Sequence, residues 1–103
     1  MKKIINRKIY NTETATEMGK WYTPGISTND FNYAREVLYR TKKGAWFLYG
    51  EGHGFTRWAT VSGNTRGWGE NIVPMTEDDA RTWAEEKLDA EEYIGIFGEP
   101  EEA

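Results

Sequence analysis

Five consecutive apolar residues, Ala45-Trp46-Phe47-Leu48-Tyr49, constrain the fold more than any other feature of this chain. Aromatic residues favour strands, and an exposed strand face would alternate apolar with polar side chains. This run does not alternate, so it reads as a central strand covered on both faces. Phe31 to Thr41 precedes it, with Phe31, Tyr33, Val37 and Tyr39 alternating on one face and Ala34 and Leu38 on the other. The link Thr41-Lys42-Lys43-Gly44 is a turn, and the two strands form a hairpin. A helix over 32–40 is the rival reading.

Around that hairpin the sequence predicts an α+β domain. It has a small antiparallel sheet of three to five strands, a short N-terminal helix and one or two C-terminal helices. Residues 3–10 read as a hairpin turning at Asn6-Arg7, since Asn tolerates the left-handed conformation of a tight turn. Thr14 and Glu17 have capping-box spacing, with Thr12 an alternative cap, which predicts a short helix to about Gly19 or Lys20 with Ala15, Met18 and Tyr22 on one face. Residues 23–30 are a loop after Thr23-Pro24-Gly25. Gly50-Glu51-Gly52-His53-Gly54 is another, followed by a third long strand from Phe55 to Val61 with Phe55, Ala59 and Val61 on one face. Ser62 to Glu70 reads as a Gly-rich loop holding Arg66 and Trp68, and residues 71–74 as a short edge strand or an extended entry to a helix.

The C-terminal third carries the clearest signals. Thr76 caps a helix with an acidic first turn, and Ala80, Trp83, Ala84, Lys87 and Leu88 follow at helical spacing. Asp89 caps a second helix with Glu92 at its third position, Tyr93, Ile94 and Phe97 form its apolar face, and Gly98 ends it. The expected domain is 1–98, with 99–103 an acidic tail.

With 103 residues, 15% of them aromatic, the chain suits one core, and its aromatic content argues against disorder. There is no cysteine, hence no disulfide or thiolate metal site, and no cofactor is expected. No apolar run reaches the roughly 20 residues of a membrane span. The expected address is the cytoplasm. Charge is divided. Residues 1–68 hold eleven Lys/Arg and five Asp/Glu, a net of +6, whereas residues 69–103 hold two and twelve, a net of −10. Such a division suggests a nucleic-acid partner or an acidic surface that imitates nucleic acid; it is also what a solvated acidic helix produces.

Three sets of residues are candidates for function. Arg40, Lys42, Lys43, Trp46, Tyr49, Arg57, Trp58, Arg66 and Trp68 combine cations for phosphates with aromatic faces for unpaired bases. Against this, Trp46 and Trp58 are also natural core residues. Glu77, Asp78, Glu85, Glu86, Glu91 and Glu92 could present spaced carboxylates to a basic groove. His53 beside Glu51 is a weak candidate for acid–base chemistry, because His titrates near neutrality. The Gly-rich loops lack the Gly-Lys-Ser/Thr ending of a phosphate loop. Nothing points to a small-molecule substrate.

Three stretches carry a resemblance: residues 4–15, Ile-Ile-Asn-Arg-Lys-Ile-Tyr-Asn-Thr-Glu-Thr-Ala; residues 36–52, from Glu36 through Trp46 to Gly52; and residues 74–86, from Pro74 to Glu86. Together they resemble a family of small proteins encoded on phages and plasmids of Gram-positive bacteria. Arg7 and His53 stand where the family pattern has Gly. Some relatives are anti-CRISPR proteins acting on type II-A Cas9. The resemblance implies a non-enzymatic inhibitor made in the bacterial cytoplasm, binding Cas9 or its guide RNA and blocking assembly or target-DNA engagement. The basic hairpin would compete for guide RNA, or the acidic helices would enter a basic channel of the effector. The first route gives the exposed aromatics a role and is preferred. The alternatives are a nucleic-acid-binding accessory or regulatory protein of a mobile element, and a small guide-RNA nuclease, or activator of guide trimming, using His53 and Glu51.

Overall fold

The computed structural model describes all residues, 1–103. Strands β1 (Lys2–Ile5) and β2 (Lys8–Asn11) form the first hairpin. Both turn residues, Asn6 and Arg7, lie at positive φ, 51° and 65°. Two consecutive left-handed residues match the twist of a two-residue hairpin loop.

The predicted N-terminal helix is absent. Asn11 instead opens a turn, its side chain accepting from the Glu13 N–H and its carbonyl from the Ala15 N–H. Residues 16–22 then form β3 (Thr16–Tyr22). The capping spacing of Thr14 and Glu17 is a local signal worth about 1 kcal/mol. Pairing with β4 (Ala34–Arg40) outweighs it, because it satisfies the edge of that strand and lays Trp21 on the core. A one-residue irregularity between Glu17 and Gly19 lets both Met18 and Trp21 reach the same cluster.

β5 (Trp46–Gly52) is the expected covered strand: Trp46, Phe47, Leu48 and Tyr49 are all buried. It pairs antiparallel with β4 on one side and on the other with β8 (Gly69–Met75). The main sheet is therefore β3-β4-β5-β8.

The third long strand expected over 55–61 does not form. Only β6 (Thr60–Ser62) is extended, and it pairs with β7 (Thr65–Gly67), inside the stretch read as a loop. Phe55 and Val61 are exposed. The cause is Trp58. Residues 53–59 fold back over the sheet and lay its indole on Gly50, where a Cβ would stand only 1.9 Å from the ring. Segment 69–75 pairs with β5, extending the short strand predicted over 71–74.

Helices α1 (Glu77–Lys87) and α2 (Ala90–Phe97) carry the expected caps, with reciprocal capping boxes at Thr76/Asp79 and Asp89/Glu92. The molecule has three layers. α1 lies over β5 and β8 and α2 over β3, closing a cluster of Ala34, Leu38, Trp46, Leu48, Trp58, Ala80, Trp83 and Ala84. On the other face the β1–β2 hairpin covers Val37, Phe47, Tyr49 and Ile72 with Tyr10. Residues 99–103 follow α2 without regular structure.

Candidate partner-binding surfaces

The charge division along the sequence becomes a division between layers. The N-terminal hairpin carries Lys2, Lys3, Arg7 and Lys8, and no acidic residue precedes Glu13. The helical layer, residues 76–97, carries eight carboxylates and two cations, Arg81 and Lys87. Both cations already have partners, and only Glu77 among the carboxylates is paired with one of them. Arg81 is held by Glu77 at 3.1 Å and the Tyr93 hydroxyl at 3.3 Å, with its guanidinium 4.8 Å from the centre of the Phe97 ring. These partners raise its already high pKa, Tyr93 first and Glu77 second. Lys87 sits 3.9 Å from the centre of the Trp21 ring.

Of the six acidic candidates, Glu77 alone is in an ion pair. Glu92 accepts from the Asp89 N–H and serves the cap of α2. Asp78, Glu85, Glu86 and Glu91 are exposed and form no salt bridge. They are left as unneutralised carboxylates on one layer.

The basic and aromatic candidates do not gather on one surface. Arg40 lies at one end of the sheet, opposite Trp46, its guanidinium 4.9 Å from the indole centre and its Nε donating to the Gly44 carbonyl at 3.4 Å. Lys42 and Lys43 are exposed in the adjoining turn. Arg66 and Trp68 lie at the opposite end, seven strand residues away, roughly 20 Å along the sheet. There Arg66 Nε donates to the Gly54 carbonyl at 2.6 Å, and Trp68 meets His53 edge-on at 4.7 Å. Arg57 stacks on Trp58 with a 4.5 Å separation.

Tyr49 points toward the hairpin layer and is 9% exposed. Its hydroxyl lies 2.6 Å from Glu70 and 3.1 Å from Glu51, sharing one proton between two carboxylates. Burial first, then the hydrogen bond to Glu70 and the nearby Glu51 charge, push this phenol well above its usual value. Burial raises the Tyr39 phenol too, with the Glu17 charge adding to it.

His53 and Glu51 are not joined. His53 Nε2 lies 2.8 Å from the Thr28 carbonyl, and Glu51 is engaged by Arg35 at 3.1 Å and by Tyr49. Oriented this way, the imidazole braces the 28–33 loop and Glu51 does not orient it for proton transfer.

Two features escaped sequence reasoning. Glu36 is a buried carboxylate, 4% exposed, accepting from both the Trp58 and Trp83 indoles. Its place between Ala34 and Leu38 on the alternation was the available signal. Phe31 and Phe55 form an exposed ring pair, centroids 5.5 Å apart. They come together only because the 53–59 loop folds back, which no local pattern announces.

No helix is long and apolar enough to cross a membrane. Comparisons with protein-family models, curated proteins and solved structures find no match.

Proposed function

We propose that this chain is a non-enzymatic binding protein whose acidic helical layer occupies a basic, nucleic-acid-binding surface of another protein. The observation that carries the reading is the set of carboxylates Asp78, Glu85, Glu86 and Glu91, none in a salt bridge, on one layer whose two cations hold other partners. Spaced carboxylates on a helical scaffold compete for cations that otherwise neutralise phosphates. The resemblance to phage and plasmid proteins suggests the partner: a type II-A Cas9, with guide loading or target-DNA engagement blocked as a consequence. The acidic route is favoured over competition for guide RNA. Arg40, Lys42 and Lys43 are separated from Arg66 and Trp68 by the length of the sheet, and Tyr49 is buried.

The test is a cleavage assay with the purified protein in molar excess, beside pull-downs on apo Cas9, guide-loaded Cas9 and free guide RNA. Capture by a protein form and loss of cleavage support the reading. Unchanged cleavage and guide loading refute it.

A second reading, an accessory nucleic-acid-binding protein of a mobile element, draws on the hairpin layer. Lys2, Arg7 and Lys8 are exposed there without a neighbouring carboxylate on β1 or β2. Binding of RNA or DNA that weakens steeply with salt would favour it. The acidic route predicts no nucleic-acid binding by the isolated protein.

A further inference from the structure

The acidic layer is not uniformly polar. α2 carries Tyr93, Ile94, Ile96 and Phe97; Tyr93, Ile96 and Phe97 pack against the core from half-buried positions, whereas Ile94 does not join that cluster. Between α1 and α2 a groove of about 300 Å³ opens, with Leu88, Tyr93 and Ile94 in its lining, Glu85 and Asp89 beside them, and Pro100 from the segment after α2. That volume lies at the small end of ligand pockets and accommodates anchoring side chains rather than an extended ligand.

We propose that this groove docks a basic amphipathic helix of the partner protein. The inference deepens the functional reading above and rests on it for the partner's identity. The chemistry of the groove selects the occupant. Leu88, Tyr93 and Ile94 accept apolar side chains spaced along one helical face, and Glu85 and Asp89 meet Lys or Arg flanking that face. Phosphate backbones and anionic lipid surfaces are repelled by the same carboxylates. A second copy of this chain supplies no such element. Its only helices are acidic, and the cations of its N-terminal hairpin lie on β-strands and their turn in the opposite layer.

The test uses the full chain and two labelled synthetic peptides of 18 residues. One places Leu and Lys at amphipathic helical spacing, and the other replaces every Leu by Ser at equal charge. Fluorescence anisotropy is expected to show the Leu/Lys peptide binding at least about tenfold more tightly, as burial of even one large apolar side chain implies. Ile94→Ser is expected to weaken that binding about tenfold, and Glu85→Arg to weaken it while steepening nothing in the salt response. Circular dichroism establishes that each variant is folded. If Ile94→Ser does not fold, the Glu85→Arg result and the peptide comparison decide. Equal binding of the two peptides, or Leu/Lys binding unchanged in the folded variants, overturns the proposal. Cas9 assays separate the two claims. Groove-dependent peptide binding without Cas9 inhibition leaves the groove standing and removes the Cas9 reading. Cas9 inhibition undiminished in a folded Ile94→Ser variant does the reverse.

Discussion

Glu36 Oε1 accepts a 2.8 Å hydrogen bond from the Trp83 indole, 47 residues away in sequence, and so ties the central sheet to α1. The other carboxylate oxygen accepts from Trp58 at 2.9 Å, tying in the folded-back loop. One buried acid thus joins three segments: β4, α1 and the folded-back loop. Hydrogen bonds made in a dry site are electrostatically stronger than the same bonds in water.

Glu36→Gln keeps one oxygen but turns an amide N–H₂ toward the second indole, leaving two donors facing each other. The expected loss is about 1–3 kcal/mol of stability, measured by urea unfolding. Tryptophan emission of the folded state is expected to shift as well, since the environments of Trp58 and Trp83 both change. Unchanged stability would mean that the carboxylate is dispensable.

Gly50→Ala introduces a Cβ where the Trp58 ring already lies, 1.9 Å away. The indole must move off the sheet or the strand must shift. A loss of about 1–3 kcal/mol is expected. Because both changes act on one contact, Gly50→Ala combined with Trp58→Leu should cost less than the two single changes summed, a coupling that a double-mutant cycle measures.

Arg7 sits in the left-handed region at φ 65°, after Asn6 at 51°. A side chain there is disfavoured by roughly 1 kcal/mol. Arg7→Gly is expected to raise the melting temperature slightly, with the gain reduced by the greater freedom of Gly in the unfolded chain. A fall in melting temperature would indicate that the Arg7 side chain contributes to the fold.

The pH response of Tyr49 has a definite sign. Its phenol is raised in the folded protein, so its stabilising contribution is complete below the ordinary tyrosine value near 10. As pH rises past that value the unfolded chain releases the proton and the folded one keeps it, so stability falls toward the folded pKa. Tyr49→Phe is expected to flatten this alkaline loss relative to the wild type, read by chemical unfolding at pH 9, 10 and 11. Parallel curves would place the loss elsewhere.

Much of this architecture is legible in local patterns. Trp46 to Tyr49 announce a strand covered twice, Asn6 announces the first turn, and Thr76, Asp89 and Gly98 mark both helices. The failures share one physical cause, a local preference outweighed by a distant partner. Thr14 and Glu17 could cap a helix, yet the free edge of β4 recruits residues 16–22. Phe55 to Val61 has strand composition, yet Gly50 and Glu36 draw Trp58 across the sheet. The candidate surfaces divide in the same way. Glu85, Glu86 and Glu91 are exposed helix positions and readable by periodicity. Whether Arg40 and Arg66 share a surface depends on strand order, which composition does not encode.

The most direct test neutralises the acidic layer without touching its caps. In a Cas9 cleavage assay at molar excess, the wild-type protein is expected to inhibit. The triple variant Glu85→Gln, Glu86→Gln, Glu91→Gln is expected to lose most of that inhibition while Lys42→Ala, Lys43→Ala retains it. Inhibition that survives in the folded triple variant and disappears in the double-lysine variant would contradict the account, as would the absence of inhibition by the wild type.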